Sequence, residues 1–350
     1  MKATILPTGG EFQTDAETPL LQAALAAGMN LPHSCRGGNC GSCRARIISG
    51  EFHYPNGRPL GISDAEIGAG FALLCQARPR SDMRIEIRMV ALAGDARVKR
   101  LPCRIERCER WSHDVIGVFL RLPAAEEYHF LPGQYLDILL PGGRRRSFSI
   151  ASPPTRSPPA ASHLIELHVR LVPGGEFTTA LFAQPADKKL LTIEGPLGQF
   201  VYRQSDAPML LVGGGTGLAP LKGIIEHIID SGLDRKMNLF WGCRAERDLY
   251  ADAWIKSVAQ RAPHFHYTPV LSEGSPEWTG ARGFVHEEVL RRVPDLAVYD
   301  IYASGPPAMI DAVRSQFTAR GVPAGRIYFD SFDYAPDSAE RHRRMALTSS

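Results

Sequence analysis

The sequence predicts a multidomain chain in which an α+β module, a β-barrel and an α/β module follow one another. Three observations support this fold class: cysteines spaced for a metal cluster near the N-terminus, short strands separated by proline and glycine in the middle, and strands alternating with helices towards the end. The 350 residues allow about two to three domains. We place the domains at residues 1–93, 101–206 and 207–335, with a linker near 94–96 and a disordered tail at 336–350.

Composition excludes several classes of protein. Hydrophobic residues make up 44% of the chain and charged residues 22%, and the formal net charge is +3, so we expect ordinary cores and no nucleic-acid partner. No apolar run reaches the ~18 residues that cross a bilayer, so we expect no membrane span. The absence of a secretory leader predicts a cytoplasmic protein. Three cysteines, Cys103, Cys108 and Cys243, are expected to be small buried hydrophobes in a reducing compartment.

A cysteine-rich loop is the strongest motif. Cys35, Cys40 and Cys43 have the spacing C-x4-C-x2-C, and Cys75 follows after 31 further residues. This is the plant-type pattern in which four thiolates hold a 2Fe–2S cluster, and the intervening glycines permit the positive φ angles of a tight loop. The alternatives are structural zinc, whose sites usually show two short Cys/His pairs, and a disulfide framework, which suits a short secreted chain.

Arginines flank the same loop, at Arg36, Arg44 and Arg46. Long charged side chains beside a loop predict a solvated face. The alternative is a docking rim for an acidic electron acceptor, because complementary charge steers the encounter of two proteins.

Local patterns predict the elements of the first two modules. In the first, strands are expected at residues 2–6, 11–14, 44–48 and 83–89, and a helix at 19–28 that is capped by Thr18 and ended by Gly28. In the second, strands are expected at 103–109, 115–122, 135–140, 147–151 and 164–171, with a proline-rich surface loop at 152–159.

Three clusters in the middle module suit a flavin. Residues 144–149 place arginine, aromatic and hydroxyl groups on one strand end, where an arginine matches a pyrophosphate and a hydroxyl can donate to a flavin ring nitrogen. The turn at 174–179 offers glycine-flanked amides at a helix start, which is an anion site. The segment 195–198 is predicted to be a third glycine turn.

The last module contains the pattern of a dinucleotide site. An apolar strand at 209–212 runs into a glycine-rich turn at 213–220 and a helix at 221–229, and this geometry presents backbone amides to a pyrophosphate. Leu218 stands where the usual G-x-G-x-x-G fingerprint requires glycine, so a standard Rossmann dehydrogenase is disfavoured. Further strands are expected at 238–242, 266–271, 300–304 and 327–332.

With these motifs the chain resembles the ferredoxin–NADP reductase superfamily, in the branch with an N-terminal plant-type ferredoxin module, over about residues 1–335. That branch includes reductase components of aromatic-ring dioxygenases and of phenol or methane monooxygenases, and the CDP-6-deoxy-3,4-glucoseen reductases. Segments 130–135 and 146–150 look most like the last group. The resemblance implies a β-grasp ferredoxin domain, a six-stranded flavin-binding barrel and a doubly wound parallel-sheet NAD(P)-binding domain.

The resemblance also implies roles for individual residues. Arg146 would bind the flavin phosphate, and Ser147, Phe148 and Ser149 would contact the flavin. The remaining cofactor residues would be Gly174, Gly175, Phe177 and Thr178 for the FAD pyrophosphate, Gly215, Thr216, Gly217 and Pro220 for NAD(P)H, and Gly305 and Pro306 beside the nicotinamide. The expected catalytic residues are Ser149, Ser304 and Phe332.

Three residues affect whether the roles known in the family apply to this chain. Phe148 stands where tyrosine is common in the family, and Ser304 stands where many relatives have cysteine. Arg244 could meet a 2′-phosphate, but no second basic residue lies beside it, so we predict NADH, with NADPH as the alternative.

The function implied is an iron–sulfur flavoprotein reductase of the glucoseen-reductase kind. It would pass electrons from NAD(P)H through FAD and the 2Fe–2S cluster to a separate acceptor protein. The alternatives are the electron-transfer component of an aromatic-ring or alkane/phenol oxygenase, a stand-alone NAD(P)H:flavin or diaphorase-type reductase, and a non-enzymatic redox sensor or scaffold.

Overall fold

The computed structural model describes residues 1–33, 36–38, 41–59, 61–87, 98–154, 164–184 and 186–332. Within them the strands form one five-stranded sheet, two six-stranded sheets and one two-stranded sheet. The predicted ligands Cys35 and Cys40, the linker, most of the proline-rich loop and the tail lie outside these residues. No helix in the described part is both long and apolar enough to cross a membrane.

The N-terminal module contains a mixed sheet and two short helices. Its elements are β1 (Lys2–Leu6), β2 (Gly10–Gln13), α1 (Leu20–Ala26), β3 (Arg44–Ser49), β4 (Phe52–His53), α2 (Asp64–Gly68), β5 (Phe71–Leu73), β6 (Arg78–Pro79) and β7 (Met83–Glu86). The five-stranded sheet has the order β2-β1-β7-β3-β5, and β1 pairs parallel with β7. Helix α1 buries Leu20, Leu21 and Ala24 in the core of this module, which is the apolar face that its sequence predicts.

The cap of α1 differs from the prediction. Pro19, and not Thr18, is the N-cap residue, and no side chain caps the helix. The hydroxyl of Thr18 donates instead to Asp15 at 3.0 Å, and the same carboxylate accepts the backbone N–H groups of Glu17 and Thr18 at 2.8 and 2.6 Å. Asp15 therefore organises the turn before the helix. The N–H groups of Leu20 and Leu21, which a capping hydroxyl would have bound, donate instead to the carbonyls of Ala77 and Leu74, each at 3.0 Å.

The middle module is an antiparallel sheet of six strands. Its elements are β8 (Lys99–Arg110), β9 (Val115–Arg121), β10 (Tyr135–Leu139), β11 (Arg145–Ser149), β12 (Leu164–Arg170), α3 (Glu176–Ala183) and β13 (Leu190–Leu197). The order is β11-β10-β13-β8-β9-β12, and an isolated bridge joins Ile150 beside β11 to Leu167 in β12. The two ends of the sheet therefore approach each other.

Strand β13 corrects one prediction. The sequence suggests a turn at 195–198, but Gly195 and Pro196 lie inside the strand, and only Gly198 has a positive φ, of 89°. Position 195 is tightly packed, since a Cβ there would lie 2.5 Å from the hydroxyl oxygen of Tyr128 and 3.1 Å from the Cβ of Leu136. Pairing with β8 and β10 outweighs the weak intrinsic strand preference of this segment.

The C-terminal module is a parallel sheet with intervening helices. Its elements are β14 (Met209–Gly214), α4 (Leu218–Asp230), β15 (Met237–Cys243), α5 (Asp252–Arg261), β16 (Phe265–Leu271), β17 (Ala281–Arg282), α6 (Val285–Arg292), β18 (Asp300–Gly305), α7 (Pro307–Ala319) and β19 (Ile327–Ser331). The order is β17-β16-β15-β14-β18-β19, and every pairing is parallel. The order changes direction between β14 and β18, and ligands bind at the carboxyl ends of strands at such a point.

A buried polar network joins the middle module to the C-terminal one. Glu166 on β12 accepts hydrogen bonds from His168 at 2.9 Å and from Lys222 of α4 at 2.9 Å. The other imidazole nitrogen of His168 accepts the hydroxyl of Tyr250 at 2.7 Å. Burial raises the pKa of Glu166, but the bond from His168 and the charge of Lys222 outweigh it and lower the pKa to about 2. The two modules therefore share an ionised, hydrogen-bonded contact.

Candidate functional site

Two of the four predicted cluster ligands lie in the described part of the chain, and they are neighbours. Cys43 and Cys75 are 3% and 6% exposed, and the backbone N–H of Cys75 donates to the sulfur of Cys43 at 3.4 Å. Gly38 and Gly41 have φ angles of 84° and 74°, which are the positive values that the sequence predicts for glycines of this loop. Adjacent thiols with an amide donor at one sulfur fit an iron–sulfur cluster, whose sulfurs accept such hydrogen bonds.

The other cysteines do not belong to this site. Cys103 and Cys243 are buried, Cys108 is half-buried, and none is in a disulfide. Burial raises the pKa of Cys103 to about 12 and that of Cys108 to about 11, and it also raises the pKa of Cys243. These thiols stay protonated near neutral pH, so they act as small apolar side chains, as expected.

The three arginines near the loop have different environments. Arg46 is exposed, in agreement with a solvated face, whereas Arg44 pairs with Glu66 and lies 6.0 Å from the ring of Phe71. The side chain of Arg36 is only 25% exposed, because its guanidinium pairs with Asp137 of β10 at 2.9 Å. The predicted solvated face is therefore wrong for Arg36.

The predicted flavin strand is β11. Ser147 donates to Asp137 at 2.6 Å, and Arg146 donates to the carbonyl of Arg145 at 2.8 Å. Phe148 packs on the core of the middle sheet, with its ring 5.7 Å from that of Phe177. Arginine and aromatic side chains thus lie on the same strand as the serines, in the alternating arrangement that the sequence predicts.

The predicted pyrophosphate turn lies beside this strand. Gly174 has a φ of 72°, and Gly175 is the N-cap residue of α3. Thr178 is turned towards the protein, because its hydroxyl accepts the N–H of Val172 at 3.1 Å, and Phe177 is buried in the core. In this structure Thr178 braces the turn, and the N–H of Gly175 donates to the carbonyl of Val172 at 2.8 Å. The groups suited to an anion are therefore the amide of Gly174 and those of the first turn of α3.

The predicted nicotinamide site is built at the switch point between β14 and β18. Gly215 has a φ of 52°, Gly215 to Gly217 form a single 3-10 turn, and Pro220 is buried in the first turn of α4. The indole N–H of Trp241 donates to the carbonyl of Gly215 at 2.8 Å and so holds this turn in place. Thr216 is half-buried at the tip of the turn.

Gly217 and Ser304 bring the two strand ends together. A Cβ on Gly217 would lie 2.0 Å from the carbonyl oxygen of Ser304, so only glycine fits this contact. The hydroxyl of Ser304 is fully buried and has no hydrogen-bond partner among the described residues. A buried hydroxyl without a partner at a strand end fits a ligand that supplies one.

The remaining residues lie on the edge of this site. Gly305 is buried and accepts the backbone N–H of Phe332 at 3.0 Å, whereas Pro306 is exposed. The half-buried Phe332 therefore lies beside the turn that the sequence assigns to nicotinamide. Arg244 follows β15 and is exposed.

One contact connects the flavin strand to the nucleotide site. The hydroxyl of Ser149, which is 8% exposed, donates to a carboxylate oxygen of Asp330 at 3.3 Å. Asp330 lies in β19, directly before Ser331 and Phe332, and it is 4% exposed. The sequence reasoning missed Asp330, although its position at the carboxyl end of a parallel strand was a usable signal.

Comparison with known proteins agrees with this arrangement. The model described as "2Fe-2S iron-sulfur cluster binding domain" matches residues 3–80, "Oxidoreductase FAD-binding domain" matches 102–202, and "Oxidoreductase NAD-binding domain" matches 211–315. A CDP-6-deoxy-L-threo-D-glycero-4-hexulose-3-dehydrase reductase from Yersinia pestis is 35% identical over 326 residues, which are 93% of this chain and 96% of that protein. The chain belongs to the ferredoxin–NADP reductase-type family that carries a 2Fe–2S domain.

Further relatives place this reductase among electron-transfer components. The xylene/toluene monooxygenase electron transfer component XylA of Pseudomonas putida is 34% identical over 336 residues, with 94% of this chain and 92% of that protein covered. The crystal structure of the Amycolatopsis cytochrome P450 reductase GcoB has a TM-score of 0.77 and 32% identity, covering 95% of this chain and 98% of that one. The reductase is therefore an NAD(P)H-dependent FAD and 2Fe–2S oxidoreductase with an electron-transfer role.

Proposed function

We propose that this reductase takes electrons from NADH and passes them to a separate protein, with a sugar-nucleotide dehydrase as the first candidate acceptor and an oxygenase component as the second. The observation that supports the route is the hydrogen bond from Ser149 to Asp330, because it joins the flavin strand to the nucleotide-binding sheet. Relatives of both kinds are named as reductase or electron-transfer components. We put the dehydrase first because segments 130–135 and 146–150 resemble the glucoseen reductases.

The residues around the switch point would hold the two organic cofactors. FAD and NAD(P)H supply hydride-transfer chemistry when bound, and the protein supplies position and charge. Arg146 would neutralise the flavin phosphates, and the amides of Gly174 and of the first turn of α3 would donate to them, since the N–H of Gly175 already donates to the carbonyl of Val172. The hydroxyl of Ser149 donates its one proton to Asp330 in this structure, and on FAD binding it would turn to donate to the flavin ring. The amides of Gly215 to Gly217 would bind the nicotinamide coenzyme at its pyrophosphate.

The remaining proposed roles concern the nicotinamide and the cluster. The unpartnered hydroxyl of Ser304 would hydrogen-bond the carboxamide of the coenzyme, and Phe332 would exclude water from the flavin ring until the nicotinamide replaces it. Cys43 and Cys75 would ligate the cluster together with Cys35 and Cys40.

We propose the same architecture that the sequence predicts. The middle sheet is assigned as a closed six-stranded barrel, supported by the bridge between Ile150 and Leu167, and the first module as a β-grasp. The domain limits proposed are 1–93, 101–206 and 207–335. A cytoplasmic location is supported by Cys103 and Cys243, which are buried and are not in disulfides.

The preference for NADH rests on the turn after β15. Arg244 is exposed and could reach a 2′-phosphate, and Arg247 in the same turn is a second basic residue, so the preference depends on the net charge of the turn and not on a lone arginine. Two acidic residues, Glu246 and Asp248, share that turn with the arginines and offset their charge. A site with near-zero local charge favours the coenzyme that lacks the extra phosphate.

The donor and the acceptor are tested together by steady-state kinetics on the anaerobically reconstituted full chain. With NADH as donor we expect kcat/KM at least about 10-fold above that with NADPH, which is about 1.4 kcal/mol of discrimination. Electron delivery should saturate with the purified hexulose dehydrase and stay far slower with an oxygenase component. Faster delivery to the oxygenase would establish the second candidate, and a preference for NADPH would contradict the assignment of the donor.

The Ser149 contact gives a second prediction. We expect Ser149→Ala to slow flavin reduction by NADH about 10- to 100-fold, since the variant loses a donor aimed at the reacting ring. Asp330→Asn should have a smaller effect, because its amide oxygen still accepts the serine hydroxyl. Stopped-flow absorbance measures the rate, and the flavin content of each variant is measured alongside.

Ser257→Ala is the matched control, because Ser257 lies on α5 and its hydroxyl donates to a carbonyl of its own helix. It should reduce at the wild-type rate. A Ser149→Ala variant that binds FAD fully and is reduced as fast as wild type would remove Ser149 from the catalytic residues.

A further inference from the structure

Arg36 lies in the cysteine loop but belongs to a contact between two modules. One terminal guanidinium nitrogen pairs with the carboxylate of Asp137 on β10 at 2.9 Å, and the second terminal nitrogen lies 3.2 Å from a ring nitrogen of His33. The side chain of Asp137 is fully buried, and that of Arg36 is 25% exposed. The loop that carries the predicted cluster ligands is thus tied to a strand of the flavin-binding sheet by a buried ion pair.

The orientation of His33 is fixed from the other side. One ring nitrogen lies 2.6 Å from the carbonyl of Leu31, which can only accept, so this nitrogen donates. The second nitrogen is then left to accept from the guanidinium of Arg36. The ring also meets Tyr135 of β10 edge-on, with centroids 5.6 Å apart. His33 therefore holds Arg36 in the direction of β10.

Asp137 connects this contact to the flavin strand. While one of its oxygens pairs with Arg36, the other accepts the hydroxyl of Ser147 on β11 at 2.6 Å. A single buried carboxylate thus links the cysteine loop to the strand on which the flavin residues lie. A second bond, from the side-chain amide of Gln199 to the carbonyl of Asn30 at 2.7 Å, crosses the same boundary.

We propose that Arg36 is a positioning residue for electron transfer between the flavin and the cluster. Resting on the proposed function, the step moves one electron from the reduced flavin to the oxidised cluster, and no bond forms or breaks at Arg36. Its guanidinium fixes the distance between the two centres by clamping the cysteine loop to β10. The planar fork is suited to this task, because it can satisfy His33 and Asp137 at the same time.

The test compares Arg36→Gln with wild type in the anaerobically reconstituted full chain. We expect flavin reduction by NADH within about twofold of wild type, and electron transfer from flavin to cluster at least about 10-fold slower. The cluster should keep its electron paramagnetic resonance spectrum and midpoint potential, since the ligands are unchanged. Small-angle scattering should show a larger radius of gyration, because the first module keeps the bond from Gln199 to Asn30 but loses the ion pair to β10.

Two further variants sharpen the result. Arg46→Gln removes the same charge from an exposed position on the neighbouring strand and should behave as wild type in every measurement. Arg36→Lys keeps the charge opposite Asp137 but loses the fork, so transfer should recover most of the way towards the wild-type rate. If Arg36→Gln does not take up the cluster, the proposal is tested with Arg36→Lys alone. In that variant we expect electron transfer about two- to fivefold slower than in wild type.

Three outcomes would overturn the proposal. The first is electron transfer at the wild-type rate in an Arg36→Gln variant that contains the cluster. If only Arg36→Lys takes up the cluster, the same result in that variant counts instead. Either result would show that the contact of Arg36 with β10 does not limit electron transfer. Equal slowing in Arg46→Gln would assign the effect to surface charge. An altered cluster potential with unchanged scattering would assign it to electrostatics. If NADH does not reduce the flavin of the wild-type protein, the proposed function is wrong. This measurement comes before any variant is compared, so the two failures can be told apart.

Discussion

The Cys75→Ser variant should lose electron delivery to a protein acceptor, by at least about 100-fold, while NADH-driven reduction of a small dye by the flavin continues. Cys75 is 6% exposed and its amide donates to the sulfur of Cys43, so the two predicted ligands are neighbours. A serine oxygen is a poor substitute for the soft thiolate that iron–sulfur clusters require. Iron and sulfide content, the resonance spectrum of the reduced cluster and acceptor turnover measure the loss.

Cys108→Ser provides the control for this variant. Cys108 is half-buried on β8, and its raised pKa, caused mainly by burial, keeps it a neutral thiol. The substitution should leave iron, sulfide and turnover unchanged. If Cys75→Ser lost its cluster and still served the acceptor at the wild-type rate, the chain would be a diaphorase-type reductase whose cluster lies off the route.

Local sequence signals predicted the parts of the site that are contiguous in the chain. The cysteine spacing and the glycine turn before α4 each lie within a few residues, because one loop must wrap one group. Element positions were also predictable where hydrophobic periodicity is strong, as in β12, whose residues Ile165, Leu167 and Val169 are buried in turn.

Contacts between modules could not be predicted from the sequence. Ser149 and Asp330 are 181 residues apart, and Arg36 meets a carboxylate on another sheet, so no local pattern brings these groups together. The burial of Arg36 was mispredicted for that reason, since a long basic side chain beside a loop is ordinarily solvated. Strand β13 was missed because glycine and proline suggest a turn, and only its two neighbouring strands make it a strand.

Gly217→Ala should be the most damaging single substitution in the nucleotide-binding sheet. The added Cβ would lie 2.0 Å from the carbonyl oxygen of Ser304, 2.5 Å from its carbon and 2.9 Å from the nitrogen of Gly305. All three are backbone atoms, so no side-chain rotation relieves the overlap. We expect a loss of about 3 kcal/mol or more in the free energy of unfolding, together with weaker binding of NADH. Urea unfolding and the KM for NADH measure the two effects.

Gly325→Ala separates this overlap from the ordinary effect of replacing glycine. Gly325 has open space around its Cβ position and no positive φ, so its replacement should change the free energy of unfolding by less than about 0.5 kcal/mol. A Gly217→Ala variant as stable as this control, with unchanged KM, would mean that α4 can move away from Ser304 at no cost. The close approach of the helix start to the end of β18 would then be incidental to coenzyme binding, and the turn at Gly215 to Gly217 would have to bind the pyrophosphate without it.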